Sequence, residues 1–175
     1  MKKTFLLFVF SAGLLIFNHS LSAQDETVAN KQFYTELGGP GVIMSINFDT
    51  RFDSNNKLGL GCRIGAGFYI SDFERNGHYE TRTVYSIPVG INYILGKSSS
   101  PASLEVGGGV SLLTRKVALF YYEVEEKGNI IGHLNIMFRV TPVGGGMAFR
   151  IGFTPIIGTS GDLFPMGAIG FGYSF

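Results

Sequence analysis

An all-β chain that closes into a transmembrane antiparallel β-barrel is the fold class this sequence predicts, and three observations lead there. Short segments repeatedly put bulky apolar residues on one side of a pleat and small or polar residues on the other, because successive side chains of a strand alternate. The composition is 45% hydrophobic and 15% charged, which excludes a disordered chain, while 25 glycines argue against a helical bundle. The connections alternate between short turns and long charged stretches, as in barrels that span a membrane.

Residues 1–23 read as a secretory signal: Lys2 and Lys3, an apolar run from Phe5 to Phe17, a polar Asn18-His19-Ser20 stretch, then Leu21-Ser22-Ala23. The run is well short of the roughly 20 residues a spanning helix needs, which argues against an anchor. Cleavage is expected after Ala23, with the bond after Ser22 as the alternative because Leu21 is large for the minus-three position. No cysteine follows the site, so no lipidated N-terminus is expected. Residues 24–175 form the barrel domain. Losing the two leader lysines takes the formal charge from +1 to −1 (+1 − 2), so no basic surface for nucleic acid is implied.

The strands follow in order. Lys31 to Gly38 supplies a first strand, with Gly39-Pro40-Gly41 as an external turn. Phe33 to Phe48 as one long, glycine-kinked strand is the alternative. In Val42 to Asp49, Val42, Met44, Ile46 and Phe48 face outward, and Ile43, Ser45, Asn47 and Asp49 inward. Leu58 to Ser71 is the clearest strand, Leu60, Cys62, Ile64, Ala66 and Phe68 alternating with Gly61, Arg63, Gly65, Gly67 and Tyr69. Cys62, the only cysteine, has no disulfide partner and reads as a small apolar residue on the outer face. Val84 to Leu95 alternates likewise, and Pro88 within it predicts a bulge because proline removes a ladder hydrogen bond. Leu104 to Leu112 sets Glu105 inward, Ile130 to Val140 sets His133, Asn135 and Arg139 inward, and Met147 to Phe153 sets Arg150 inward. The last strand, Phe164 to Phe175, turns Ile169, Phe171, Tyr173 and Phe175 outward, with Ala168, Gly170, Gly172 and Ser174 opposite.

Asp49 to Lys57, Gly96 to Pro101 and Thr141 to Gly146 are the short connections, on the periplasmic side. Ser71 to Thr83 and Thr114 to Asn129 are long, charged loops on the other. With the C-terminus periplasmic, this count gives eight strands.

The signal peptide, the glycine-rich alternating strands and the terminal Phe175 resemble the small eight-stranded outer-membrane barrels of Gram-negative bacteria. Glu36-Leu37-Gly38-Gly39, Gly90-Ile91-Asn92-Tyr93, Leu104-Glu105-Val106-Gly107 and Gly152-Phe153-Thr154-Pro155 resemble more closely a set of short barrels typical of Bacteroidetes. The resemblance implies the outer membrane as location, outer-membrane lipid as surroundings, and insertion by the barrel assembly machinery that reads the last strand, with Phe171, Tyr173 and Phe175 as its signal. It brings no catalytic residue and no cofactor.

No motif for catalysis stands up. Gly96-Lys97-Ser98 has the tail of a phosphate loop, but Ile91 occupies the place of its first glycine. Gly107-Gly108-Gly109 and Gly144-Gly145-Gly146 lack dinucleotide spacing, and Gly158-Thr159-Ser160-Gly161 is one residue short of a nucleophile elbow. His78 and His133 are the only histidines after the leader, too few for a multi-histidine metal site. His78 with Ser71, Asp72 and Glu80 is the one set from which a lipid A-modifying enzyme would be built; a solvated loop is the plainer reading.

Side chains nearly fill an eight-stranded barrel, so a wide pore is disfavoured. Inward Arg63, Arg139 and Arg150 are expected to plug the lumen, and Glu105, Arg139 and Arg150 to meet in one charge cluster of structural function, with Arg63 as a further member of the lumen charges. Function is then expected in loops 71–83 and 114–129, where a surface ligand would bind. The second carries the apolar run Val117 to Tyr122 ahead of Glu123, Glu125 and Glu126. A lipid A-modifying enzyme and a narrow transporter of small apolar solutes are the alternatives.

Overall fold

The computed structural model describes residues 28–75, 78–114, 129–158 and 161–175. The signal at residues 1–23, most of the stretch 114–129 with its apolar run, and Thr159-Ser160 lie outside the described residues. The chain forms strands β1 Lys31–Gly38, β2 Met44–Arg51, β3 Gly59–Arg75, β4 His78–Gly96, β5 Ala102–Leu113, β6 Ile130–Val140, β7 Gly146–Phe153, β8 Ile156–Ile157, β9 Leu163–Phe164 and β10 Gly167–Ser174.

Strands β1 to β7 pair antiparallel with their neighbours in sequence, β7 pairs with β10, and β10 closes on β1 from Gln32↔Ser174 to Gly38↔Ala168. Ten strands make eight walls. β6 pairs first with β7 and then with β8, and Leu134 N–H donates to the Pro155 carbonyl at 3.0 Å across the interruption, so β7 and β8 form one wall. β9 and β10 form another. The final stretch is therefore not one unbroken strand: Pro165 and Met166 interrupt it, since proline has no N–H for the ladder.

The pleat sorts the residues as a barrel in lipid requires. Phe33, Ile46, Ile64, Ile91, Leu134, Ile136 and Phe171 are about half exposed on the outside. Asp49, Arg63, Asn92, Glu105, Asn135, Arg139 and Arg150 are buried on the inside. Leaving an aliphatic or aromatic side chain in water forgoes about 1.5–3 kcal/mol of burial, so this exterior is suited to hydrocarbon. Among the described residues no helix is long and apolar enough to cross a membrane; the strands do the crossing.

Three expectations need correction. Pro88 makes no bulge. The β3–β4 ladder skips Gly65, Ala66, Ile87 and Pro88, but Ile64↔Val89 and Gly67↔Ser86 keep the same register, so no residue has been inserted. Ser71 to Thr83 is not a loop, because β3 and β4 continue as a hairpin to Arg75↔His78.

The third correction concerns Gly39-Pro40-Gly41, which is not an external turn. It is a buried 3-10 turn folded into the lumen, and Val42 is buried with it instead of facing outward. Gly38 and Gly39 take φ of 74° and 69°, which glycine tolerates, and a Cβ on Gly39 would lie 2.9 Å from Glu36 Oε1. Val42 at φ 75° and ψ −74° has no such freedom and holds a strained conformation.

Candidate functional site

The lumen gathers most of the chemistry-bearing side chains, and it is filled in two layers. Call the end that carries Lys31 and Phe175 the lower end. Alternation from β1, β2, β4, β5, β6 and β7 brings Gln32, Asp49, Asn92, Glu105, Asn135, Arg139 and Arg150 into the lumen there, and Arg51 extends β2 beyond Asp49 on the same face.

Glu105 is the hub. Its Oε2 accepts from Arg139 Nη1 at 2.9 Å, and its Oε1 accepts from Arg150 Nη2 at 2.9 Å, Asn135 Nδ2 at 2.8 Å and Asn92 Nδ2 at 3.3 Å. Asp49 forms a second centre: Oδ1 takes Arg51 Nη2 at 2.5 Å and Arg139 Nη1 at 3.4 Å, and Oδ2 takes Asn92 Nδ2 at 2.5 Å. Arg139 Nη2 also donates to Gln32 Oε1.

Glu105, Arg139 and Arg150 are thus in direct contact. Arg63 is not on Glu105; it lies 3.6 Å from Glu36 Oε1 and donates to the Tyr34 hydroxyl at 3.3 Å. Arg150 Nε is 3.3 Å from Glu36 Oε2, which links the two pairs. Its guanidinium also stacks 4.3 Å over the Tyr34 ring, a favourable cation–π arrangement. Gly170 makes room for it, since a Cβ there would come within 2.8 Å of Arg150 Cγ.

Reading the residues alone missed Glu36, Tyr34, Gln32 and Arg51 as members of this network. The signal for the first three was present, because Gln32, Tyr34 and Glu36 alternate with Phe33, Thr35 and Leu37. Lys57 was missed as well. It sits in the turn after β2, buried, donating from Nζ to the Ser100 carbonyl at 2.6 Å and the Thr141 carbonyl at 3.5 Å, and burial lowers its pKa from the usual lysine value.

Above the ions the filling changes. Ser111 Oγ donates to the Pro40 carbonyl at 2.8 Å and lies 3.4 Å from His133 Nδ1, and Ser86 Oγ donates to the Gly41 carbonyl at 3.4 Å, so the tucked turn is hung from the wall. Val42 then heads an apolar cluster with Tyr69, Val84, Leu113, Ile131 and Ile156, against which Phe164 and Met166 pack. Among the described residues this layer fills the upper part of the lumen.

Of the set from which a lipid-modifying enzyme would be built, the ladder sets the backbones of Ser71 and His78 apart. The register pairs His78 with Arg75 and Ser71 with Arg82, so His78 stands four residues along the ladder from Ser71, about 13 Å. Cys62 is half-buried and unbonded to another cysteine. Among the described residues no group of three or more His, Cys, Asp or Glu side chains is placed to hold a metal. Phe175 lies on the outer face, 5.9 Å from the Phe33 ring, and its backbone pairs with Lys31.

Comparison with solved structures gives one match, the outer membrane protein Ail of Yersinia pestis in a phospholipid bilayer nanodisc. It aligns with a TM-score of 0.54 at 12% identity, over 86% of this chain and 100% of that one. The fold is that of a small outer-membrane barrel. No family model matches the sequence, and no curated protein does.

Proposed function

We propose that the protein is a non-conducting, non-enzymatic barrel of the outer membrane, with its lower end in the periplasm and the β3–β4 hairpin and segment 114–129 presented at the cell surface for contact with a ligand. The observation that carries this reading is the filled lumen: among the described residues, an ion network occupies its lower part and a hydrogen-bonded turn with an apolar cluster its upper part. The half-exposed apolar belt supports residence in lipid. Insertion by the barrel assembly machinery through Phe171, Tyr173 and Phe175 belongs to the same proposal, as does kinship with the short Bacteroidetes barrels, which rests on the four quoted segments.

Two measurements test it. Purified protein in planar lipid bilayers should give no discrete conductance steps, and reproducible steps would overturn the non-conducting assignment. An epitope inserted between Asn76 and Gly77 should be labelled by antibody on intact cells. Labelling only after permeabilisation would place the hairpin on the wrong side.

A further inference from the structure

The buried charges of the lumen do not balance. Five buried cations, Arg51, Lys57, Arg63, Arg139 and Arg150, face three buried carboxylates, Glu36, Asp49 and Glu105, which leaves two positive charges (5 − 3) without a buried carboxylate among the described residues. Their placement locates the surplus. Arg63 and Arg150 are matched by Glu36 and Glu105. At the lower end Arg51, Lys57 and Arg139 have Asp49, and a share of Glu105 already held by Arg150. A buried charge is costly unless something of opposite sign accompanies it.

A cavity of about 10 Å³ lies at that place, lined by Gln32, Asp49, Arg51, Lys57, Arg139 and Thr141 among others. This is about the space of one water molecule, and a halide, a few tenths of an ångström larger in radius, fits once the lining side chains give by that amount. Three polar atoms of its lining residues have no hydrogen-bond partner among the described residues: Gln32 Nε2, Arg139 Nε and Thr141 Oγ1. All three side chains belong to residues less than a tenth exposed. Two of these atoms only donate, and the third is a hydroxyl that donates as readily as it accepts. The orientation of Gln32 is fixed, because its Oε1 accepts from Arg139 and its NH₂ must therefore point elsewhere. Asp49, the one carboxylate on the wall, has both oxygens engaged by Arg51, Arg139 and Asn92.

We propose that this cavity binds a single monatomic anion of chloride size, held by Gln32, Arg139 and Thr141 and balanced electrically by Lys57. Water would satisfy the donors but leave the charge surplus uncompensated, and a carboxylate or phosphate is too large for the space. The site is separate from the surface reading above, since nothing in it depends on the hairpin or on conduction.

Bromide is the probe. Crystals of the detergent-solubilised protein soaked in sodium bromide should show an anomalous difference peak between Gln32, Arg139 and Thr141. In solution, the urea midpoint should be higher in sodium chloride than in sodium gluconate of equal ionic strength, by on the order of half a molar. The difference should vanish in both Lys57→Met, which removes the balancing charge, and Thr141→Val, which removes a donor and keeps the shape. An empty cavity in bromide overturns the proposal, and so does an equal chloride effect in wild type and both variants. A bromide peak without any chloride-dependent midpoint would mean an adventitious ion only, and would equally overturn it.

Discussion

The lower and upper halves of the lumen sit inside one continuous wall of alternating strands, yet they are filled on different principles. Below, Glu105 and Asp49 each collect several directional partners from strands far apart in sequence. Above, Val84, Leu113, Ile131 and Ile156 pack without directional requirement around a turn pushed in from the first hairpin. The difference teaches where the fold is intolerant. A charge network fails when one member is removed, because the remainder is left buried and unpaired. An apolar cluster fails in proportion to the volume lost.

The strongest way to test that contrast is Glu105→Gln. The substitution keeps the shape and one accepting oxygen but removes the charge that Arg139 and Arg150 share, and it should destabilise the barrel by about 3–5 kcal/mol in urea titrations in detergent. Arg139 keeps Asp49 and Arg150 keeps Glu36, which holds the loss toward the lower figure. A loss below about 1 kcal/mol would mean the ions are solvated rather than buried. Ile131→Ala in the upper cluster should cost somewhat less, about 2–4 kcal/mol, as ordinary cavity creation.

The smallest effect sharpens the comparison within the upper layer itself. Val42 and Val84 are both buried in the same cluster, but only Val42 has a positive φ. Val84→Ala should cost about 2 kcal/mol. Val42→Gly removes more side chain, yet relief of the strained backbone should hold its net cost to within about 1 kcal/mol. If Val42→Gly proves the more damaging of the two, the inward turn is held by the valine side chain and not in spite of it.

The lower layer was the more legible half in the sequence. Period-two alternation sets Glu105, Arg139 and Arg150 inward, and distance from the short turns sets their common height, so their meeting follows from local rules. Arg51 escaped because Asp49 looks like the end of its strand. Lys57 escaped because a turn residue carries no periodicity to mark it as buried. The upper half was poorly legible for a different reason. Gly39-Pro40-Gly41 signals a turn but not the direction in which it folds, which depends on Ser86 and Ser111 offering hydrogen bonds across the barrel. The charged residues from Ser71 to Thr83 read as loop because their sequence lacks the sustained apolar alternation that marks the other strands, although the ladder continues through them to Arg75↔His78.

The seam between β1 and β10 has a consequence for how the molecule comes into being. These two strands are the first and last of the described chain, and every rung from Gln32↔Ser174 to Gly38↔Ala168 joins residues separated by nearly the whole domain. Contacts of such high sequence separation carry the largest loop-closure entropy and tend to slow folding. No N-terminal fragment can close by itself, so a nascent chain exposes unpaired strand edges until its final residues are available. Closure must then come late and all at once, and the interval before it is the period in which the chain is most exposed to aggregation.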